Sequence, residues 1–176
     1  MKSPVVLVLA SGRGERFLAS GGRGSKLQAL LAGRTVLEHT LAAVRASGLP
    51  FHVEDAGHPG MGESIAAAVR ATADAAGWLV LPGDLPLVQP RSLLAVAEAL
   101  GTYDVVLPMH EGARGHPVGF TSVHRDALQA LHGAEGASSI VKRGNILRLD
   151  LDDAGIVTDI DTLDDLDRAA RMLAGG

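Results

Sequence analysis

The chain has 176 residues, of which 47% are hydrophobic and 20% are charged, and its formal net charge is −4 at pH 7. This length and composition predict one globular domain over residues 1–176, and the negative charge excludes a general attraction to nucleic acid or to an anionic membrane surface. Because there is no cysteine, disulfides, thiolate catalysis and sulfur-ligated metals are also excluded.

The first predicted element is a buried strand at residues 5–10, an unbroken Val, Leu and Ala run without alternation. Such a run suits a parallel sheet that helices cover on both faces. It is about half as long as the apolar core of a signal peptide. No apolar stretch in the chain is long enough to span a membrane, so a cytoplasmic location is expected.

A loop rich in glycine follows the strand at residues 11–17. Gly12 and Gly14 allow backbone N–H groups to come close to an anion, because glycine has no Cβ. In a sheet of this kind the ligand lies beyond the carboxyl ends of the strands. The sequence therefore predicts a phosphate site at this loop.

Three cations surround the same loop, namely Arg13, Arg16 and Lys26, and together they favour a triphosphate. Phe17 stands where a dinucleotide-binding fingerprint has its third glycine. Lys26 is followed by leucine, whereas a P-loop lysine is followed by Ser or Thr. Neither of those two patterns therefore fits.

The rest of the chain is predicted to alternate between helices and strands. Thr35 begins a helix that Gly48 ends, and Pro90 precedes another. Further strands are expected at 51–54, 78–82, 103–108, 146–151 and 156–160, and further helices at 64–69, 91–100, 122–131, 163–173 and from 133–138. This alternation predicts a three-layer α/β fold with a mostly parallel sheet.

Aspartates follow two of the predicted strands. Asp84 comes directly after strand 78–82, where its carboxylate can hold a hard cation beside a triphosphate, although Asp is also common in turns before Pro. Asp159 and Asp161 point the same way if their segment is extended, so they can share a metal. Capping of the last helix by Thr162 explains part of this segment without any function.

Five segments, in this order, resemble those of MobA-like nucleotidyltransferases. The first runs from Leu9 to Phe17 with Lys26 and is similar to the signature L-A-A-G-x-G-x-R-F/M and its following Lys. The others are Gly60–Ser64, Pro82–Pro86, Gly115–Phe120 and Asp159–Thr162. The resemblance therefore spans nearly the whole chain, and it looks strongest to the molybdenum cofactor cytidylyltransferases.

The resemblance implies a Rossmann-like nucleotidyltransferase fold with one antiparallel strand. The implied reaction is transfer of a cytidylyl group from CTP to the phosphate of a molybdopterin-type cofactor, with Mg²⁺ and release of pyrophosphate. Arg16, Lys26 and Asp84 would be catalytic, and Asp84 and Asp161 would hold the metal. The residues expected to bind nucleotide or pterin are Leu9, Ala10, Ser11, Gly12, Arg13, Gly14, Gly62, Ser64, Pro82, Gly83, His116 and Asp159.

The expected partners are CTP, a pterin-phosphate acceptor and, by the same resemblance, a molybdoenzyme of the xanthine dehydrogenase type or its chaperone. Nucleic acid and membrane are not expected as partners. A guanylyltransferase, a sugar-1-phosphate nucleotidyltransferase and a non-catalytic nucleotide-binding protein remain alternatives, because they would share the phosphate-binding residues. On the proposed chemistry, Lys26→Ala should abolish turnover and leave the fold intact.

Some residues depart from the family pattern. Ala134 and Ser138 stand where the family usually has the Asp and Arg of Gly-Asp-x-Gly-Ala-Arg, and Arg143 or Arg148 is a candidate replacement. Residues 18–25 make the spacing between Arg16 and Lys26 longer than usual, so this stretch is expected to loop out and return Lys26. The strand and helix that family members usually carry before Gly60 are missing or reduced to a turn.

Overall fold

The computed structural model describes residues 2–12 and 14–176. Its strands are β1 (Val5–Leu9), β2 (Leu30–Leu31), β3 (Arg34–Thr35), β4 (Phe51–Glu54), β5 (Gly77–Pro82), β6 (Val105–His110), β7 (Ala113–Arg114), β8 (Val118–Thr121) and β9 (Ile146–Asp150). Its α-helices are α1 (Glu15–Ala19), α2 (Val36–Ser47), α3 (Met61–Ala71), α4 (Pro90–Ala99), α5 (Arg125–Gln129) and α6 (Leu163–Ala174). Single 3₁₀ turns cover Lys26–Gln28, Ser122–His124 and Ala154–Val157.

The central sheet is mixed and mostly parallel, as expected. Within the described residues it has seven strands, in the order β4-β1-β5-β8-β6-β7, and β9 pairs with the other edge of β6. The strands β4, β1 and β5 are parallel, as are β6 and β9. Two strands, β8 and the short β7, run antiparallel to their neighbours, where a single one was expected. The strands β2 and β3 form a separate antiparallel pair.

Two apolar clusters cover the two faces of the sheet, which makes three layers. Leu7 and Leu9 of β1 face a cluster that contains residues of α3 and α5, and Val6 and Val8 face a cluster that contains residues of α2 and α4. The strand β1 is thus buried on both sides, which is why its sequence shows no polar alternation. No helix in the described part of the chain is both long and apolar enough to cross a membrane.

Local end signals explain the confirmed helices. Thr35 accepts a hydrogen bond from the Glu38 backbone N–H, and the Glu38 carboxylate accepts one from the Thr35 N–H, which forms a capping box at the start of α2. Gly48 ends α2 at φ 73°, a left-handed conformation that favours glycine. Pro90 is in the first turn of α4, and Thr162 caps α6.

The strand predicted at 103–108 extends further than expected, because β6 continues to His110 and then turns into β7. The turn residues Glu111 and Gly112 both have positive φ, 48° and 81°, as a two-residue hairpin requires. The strand predicted at 156–160 is wrong. Its first residues lie in a 3₁₀ turn that Asp153 caps by accepting from the Gly155 N–H.

Helix predictions were less accurate between the later strands. The region 122–131 contains a 3₁₀ turn and the short α5, which ends at Gln129. No helix forms from 133–138 in the described structure, because Gly133 and Gly136 adopt φ of 83° and 59°. The helix expected from residue 64 begins earlier, at Met61.

Candidate active site

The loops after β1, β4 and β5 meet at the carboxyl edge of the parallel strands. The Gly83 N–H donates to the Leu9 carbonyl at 2.8 Å, and the Ala10 N–H donates to the Glu54 carbonyl at 2.9 Å. These backbone hydrogen bonds hold the three loops together beyond the last residues of their strands. Ligands of open α/β sheets bind at such an edge.

A cavity of about 280 Å³ opens between these loops. Eight of the predicted binding and catalytic residues line it, namely Leu9, Ser11, Gly12, Lys26, Ser64, Pro82, Gly83 and Asp84. The predicted residues outside its lining are Ala10, Gly14, Arg16, Gly62, His116, Asp159 and Asp161. Arg13 lies outside the described residues. The cavity is close to the lower end of the size range of small-molecule sites.

Lys26 joins two of the aspartates at one end of the cavity. Its Nζ donates to Asp84 Oδ2 at 2.8 Å and to Asp161 Oδ1 at 3.0 Å. The side chains of Lys26 and Asp84 are only 13% and 14% exposed, so this is a largely buried ion pair. Both residues, 58 positions apart in sequence, therefore face one crevice, as the predicted phosphate and metal sites require.

Asp159 completes a group of three carboxylates with Asp84 and Asp161. One oxygen from each lies within 4.8 Å of the others. Asp84 Oδ1 is buried and has no hydrogen-bond partner among the described residues, which is costly unless another group binds there. Closely spaced carboxylate oxygens are the ligands of hard divalent cations, so these residues fit a metal such as Mg²⁺ or Mn²⁺.

The segment that carries Asp159 and Asp161 reaches the site without being a strand. The Ile160 N–H donates to the Asp84 carbonyl at 3.0 Å and so ties this segment to the loop after β5. The Asp165 carboxylate then accepts from the backbone N–H groups of Asp161 and Thr162. The two aspartates do come together, and these hydrogen bonds hold their segment at the site.

Lys26 is positioned by the turns of residues 18–25, which loop out and return it as predicted. Ser20 Oγ donates to the Phe17 carbonyl at 2.8 Å and accepts from the Leu163 N–H at 3.0 Å. Gly14 has φ 63°, which favours glycine, and a Cβ there would lie 3.6 Å from Lys26 Cγ. The glycine loop thus packs against the stem of the lysine.

The charges at this end shift one another's pKa. Burial alone would lower the pKa of Lys26, but the Asp84 and Asp161 carboxylates outweigh it and raise that pKa. Burial opposes ionisation of Asp161, yet hydrogen bonding to Lys26 lowers its pKa. The pKa of Asp159 is raised by burial and by the charges of Asp161 and Asp84. Negative charge is therefore concentrated here beyond what one lysine neutralises.

Arg16 and His116 flank this group. The Arg16 side chain is 81% exposed and its Nη1 is 3.4 Å from Asp161 Oδ2, so it is free to move toward a ligand. Burial lowers the pKa of His116 although the Asp84 carboxylate acts in the opposite direction, so the ring is neutral near pH 7. The structure thus places His116 near the metal-binding group and not in the cavity lining.

Gly62, which was expected to bind nucleotide or pterin, does not offer a free N–H group. Its N–H donates to the Gly133 carbonyl at 2.8 Å, and a Cβ at this position would lie 2.6 Å from the His132 carbonyl carbon. Glu63 accepts from the Gly133 N–H with both carboxylate oxygens at 3.0 Å. The start of α3 therefore anchors the segment at 132–133 instead of binding an anion through Gly62.

Residues 41–149 match the family model of the MobA-like NTP transferase domain. The chain belongs to this family of nucleotidyltransferases. Among curated relatives, the bifunctional protein GlmU of Xanthomonas axonopodis pv. citri (strain 306) is 30% identical over 145 residues. That match covers 69% of this chain but only 30% of the length of GlmU.

Solved structures show the same fold. Rv0371c from Mycobacterium tuberculosis H37Rv has a TM-score of 0.82 and 23% identity, covering 97% of this chain and 98% of that one. A manganese complex of Rv0371c has a TM-score of 0.76 and 22% identity, covering 96% and 98%. Molybdopterin-guanine dinucleotide biosynthesis protein A from Archaeoglobus fulgidus has a TM-score of 0.71 and 20% identity, covering 98% and 100%.

Several residues that line this cavity were not among the binding residues expected from the sequence. They are Leu27, His58, Pro59, Gly60, Met61 and Ala134. Ala134, which stands where the family usually has an Asp, lines the same cavity as Gly60 and Met61. Arg143, a candidate replacement for the missing arginine, lines a second cavity of about 320 Å³ instead. Arg148 lies on β9 opposite Leu107 and does not line the first cavity.

Proposed function

We propose that this nucleotidyltransferase transfers a cytidylyl group from CTP to the phosphate of a molybdopterin-type cofactor and releases pyrophosphate. The observation that carries the proposal is the Lys26 ammonium between Asp84 and Asp161, at the end of a glycine-lined cavity. Cation-binding carboxylates beside a phosphate-binding lysine suit phosphoryl chemistry. The choice of cytidylyl transfer rests on the resemblance in sequence to the molybdenum cofactor cytidylyltransferases.

Asp84 and Asp161, together with Asp159, would hold Mg²⁺. When bound, the metal would neutralise charge on the transferred phosphoryl group and on the departing pyrophosphate. The unpartnered, buried Asp84 Oδ1 supports this assignment. The manganese complex of the structurally similar Rv0371c is consistent with a divalent ion in this fold.

Lys26 and Arg16 would bind the β- and γ-phosphates of the nucleotide. Lys26 already carries its charge at the cavity wall, with a pKa raised by its carboxylate partners. Arg16 is exposed and makes only a long ion pair, so moving to a phosphate costs it little. At Gly12 a Cβ would meet nothing within 4 Å, so the backbone there is open to the cavity.

The reaction needs no protein nucleophile and no general base. The acceptor phosphate is already anionic near neutral pH and can attack the α-phosphate in line. The chain's contribution is then to hold both substrates and to stabilise the charge that develops on the leaving group. Neutral His116, on which the Asp84 charge acts, is the group that we assign to the pterin-phosphate side.

The test is a pyrophosphate-release screen of the four nucleoside triphosphates with molybdopterin-type acceptors and Mg²⁺. We expect release with CTP, and Asp84→Asn should lower the rate on the order of 10²-fold. Arg143→Gln is the matched control, because Arg143 lines the second cavity. Turnover with GTP or with a sugar 1-phosphate instead would assign an alternative reaction. CTP binding without pyrophosphate from any acceptor would contradict catalysis.

A further inference from the structure

Glu54 forms a cluster with two histidines beside the nucleotide cavity. It is the last residue of β4 and is 8% exposed. Its Oε2 lies 3.0 Å from His52 Nε2, and its Oε1 lies 2.9 Å from His58 Nε2. Only His58 of this cluster lines the cavity.

The cluster fixes which ring nitrogen of His58 carries hydrogen. Burial would raise the pKa of Glu54, but its hydrogen bonds to His52 and His58 outweigh burial and lower that pKa. An ionised carboxylate can only accept, so each facing Nε2 must donate. In its neutral form His58 then keeps its lone pair on Nδ1, which has no hydrogen-bond partner within residues 2–12 and 14–176.

His58 and the phosphate-binding groups belong to different walls of one cavity. Lys26 and Asp84 line it from the loops after β1 and β5, and His58 lines it from the loop after β4 together with Pro59 and Gly60. A nucleotide whose phosphates lie at Lys26 therefore has its nucleoside part within reach of the His58 wall.

We propose that His58, held by Glu54 as a hydrogen-bond acceptor at Nδ1, selects nucleobases that present an amino group over those that present a carbonyl group. Cytosine and uracil differ in this way at C4. The amino group of cytosine donates to the ring, whereas the carbonyl of uracil leaves two acceptors facing each other without a hydrogen. A buried acceptor without a donor is costly, so CTP should bind more tightly than UTP. This inference rests on the proposed function, whose nucleotide is CTP.

The test compares the dissociation constants of CTP and UTP by calorimetry, using the full chain with Mg²⁺ at pH 8. We expect CTP to bind roughly tenfold or more tightly than UTP in the unchanged protein. His58→Phe keeps a ring but no nitrogen, so the two affinities should become nearly equal. Glu54→Gln keeps His58 but frees its hydrogen to move between nitrogens, so the ratio should fall.

His52→Phe is the matched control, because it removes the other hydrogen bond of Glu54 and leaves His58 in place. Its ratio should match that of the unchanged protein. If His58→Phe weakens CTP and UTP equally, the role is one of packing and the inference is wrong, while the proposed reaction stands. If the unchanged protein binds neither nucleotide or prefers UTP, the inference and the proposed function both fail.

Discussion

Lys26 is expected to stabilise the protein as well as to bind phosphate, which changes what its removal should do. Lys26→Met takes the ammonium away from two carboxylates, one of which, Asp84, is 14% exposed. Removing one member of a buried ion pair costs about 3–5 kcal/mol. Asp161 is 33% exposed, so water relieves part of the loss, and we expect the lower end, about 3 kcal/mol.

For a chain of this length each kcal/mol lowers Tm by about 2–4 °C, so Tm should fall by about 6–12 °C. The pKa of Lys26 is raised above the ordinary 10.5, so this stability is fully present below pH 10.5 and is lost as pH rises through the folded pKa. The sequence-based expectation that removing Lys26 leaves the fold intact is therefore replaced by a measurable loss of stability.

The assay is thermal unfolding followed by circular dichroism at pH 7.5, first with EDTA and then with Mn²⁺. Lys26→Met leaves Asp84 and Asp161 without the ammonium that pairs with them, so Mn²⁺ should raise the Tm of this variant more than that of the unchanged protein. Each tenfold gain in affinity adds about 1.4 kcal/mol at saturating metal. Arg16→Met is the control and should cost less than about 1 kcal/mol, because exposed pairs contribute little. Equal Mn²⁺ responses in the variant and the unchanged protein would refute the assignment of the carboxylates.

Other positions give sharper tests of how the site is held. Thr40 Oγ1 donates to the Gly83 carbonyl at 2.8 Å. Thr40→Val should therefore lower the free energy of unfolding in urea by about 1–3 kcal/mol and also lower kcat/KM. Thr72→Val, which removes a hydroxyl remote from the site, should lower the free energy of unfolding without lowering kcat/KM. Gly62→Ala places a Cβ 2.6 Å from the His132 backbone, so it should weaken CTP binding measured by calorimetry. Gly57→Ala, where a Cβ meets nothing within 4 Å, should bind CTP as the unchanged protein does. Burial lowers the pKa of His124, so on acidification the unfolded chain binds a proton at this ring before the folded chain does. The free energy of unfolding in urea should therefore be at its full value above pH 6.5 and fall below that pH. The fall should be shallower in His124→Gln.

Local chemistry made the fold largely predictable. The unbroken apolar run of β1 indicates a strand covered on both faces, and the signals at Thr35, Gly48 and Pro90 place two helices to within a residue. The hairpin at Glu111 and Gly112 was missed because its first turn residue is not the usual Asn, Asp or Gly. Prediction therefore failed where one residue adopts an uncommon conformation.

The site was predictable where its residues follow strands. Loops at the ends of parallel strands must converge, so Gly12 and Asp84 could be placed together without a structure. His58 could not, because it reaches the cavity through the path of a whole loop and sits in no pattern that marks it. Ala134 sits in the altered Gly-Asp-x-Gly-Ala-Arg pattern, but its place in the cavity also depends on the path of its loop. The pairing of Asp159 with Asp161 was predicted from their spacing, but the hydrogen bond from the Ile160 N–H to the Asp84 carbonyl, which ties this pair to Asp84, could not be predicted from the sequence.

Residues 132–136, which α3 anchors through Gly62 and Glu63, separate two cavities of the molecule. Ala134 faces the nucleotide cavity, while His132, Glu135 and Gly136 face the second one. Because one short segment contributes residues to both cavities, we expect a substitution within residues 132–136 to change the shape of both. Redesign of one cavity through this segment would therefore have to take the other into account.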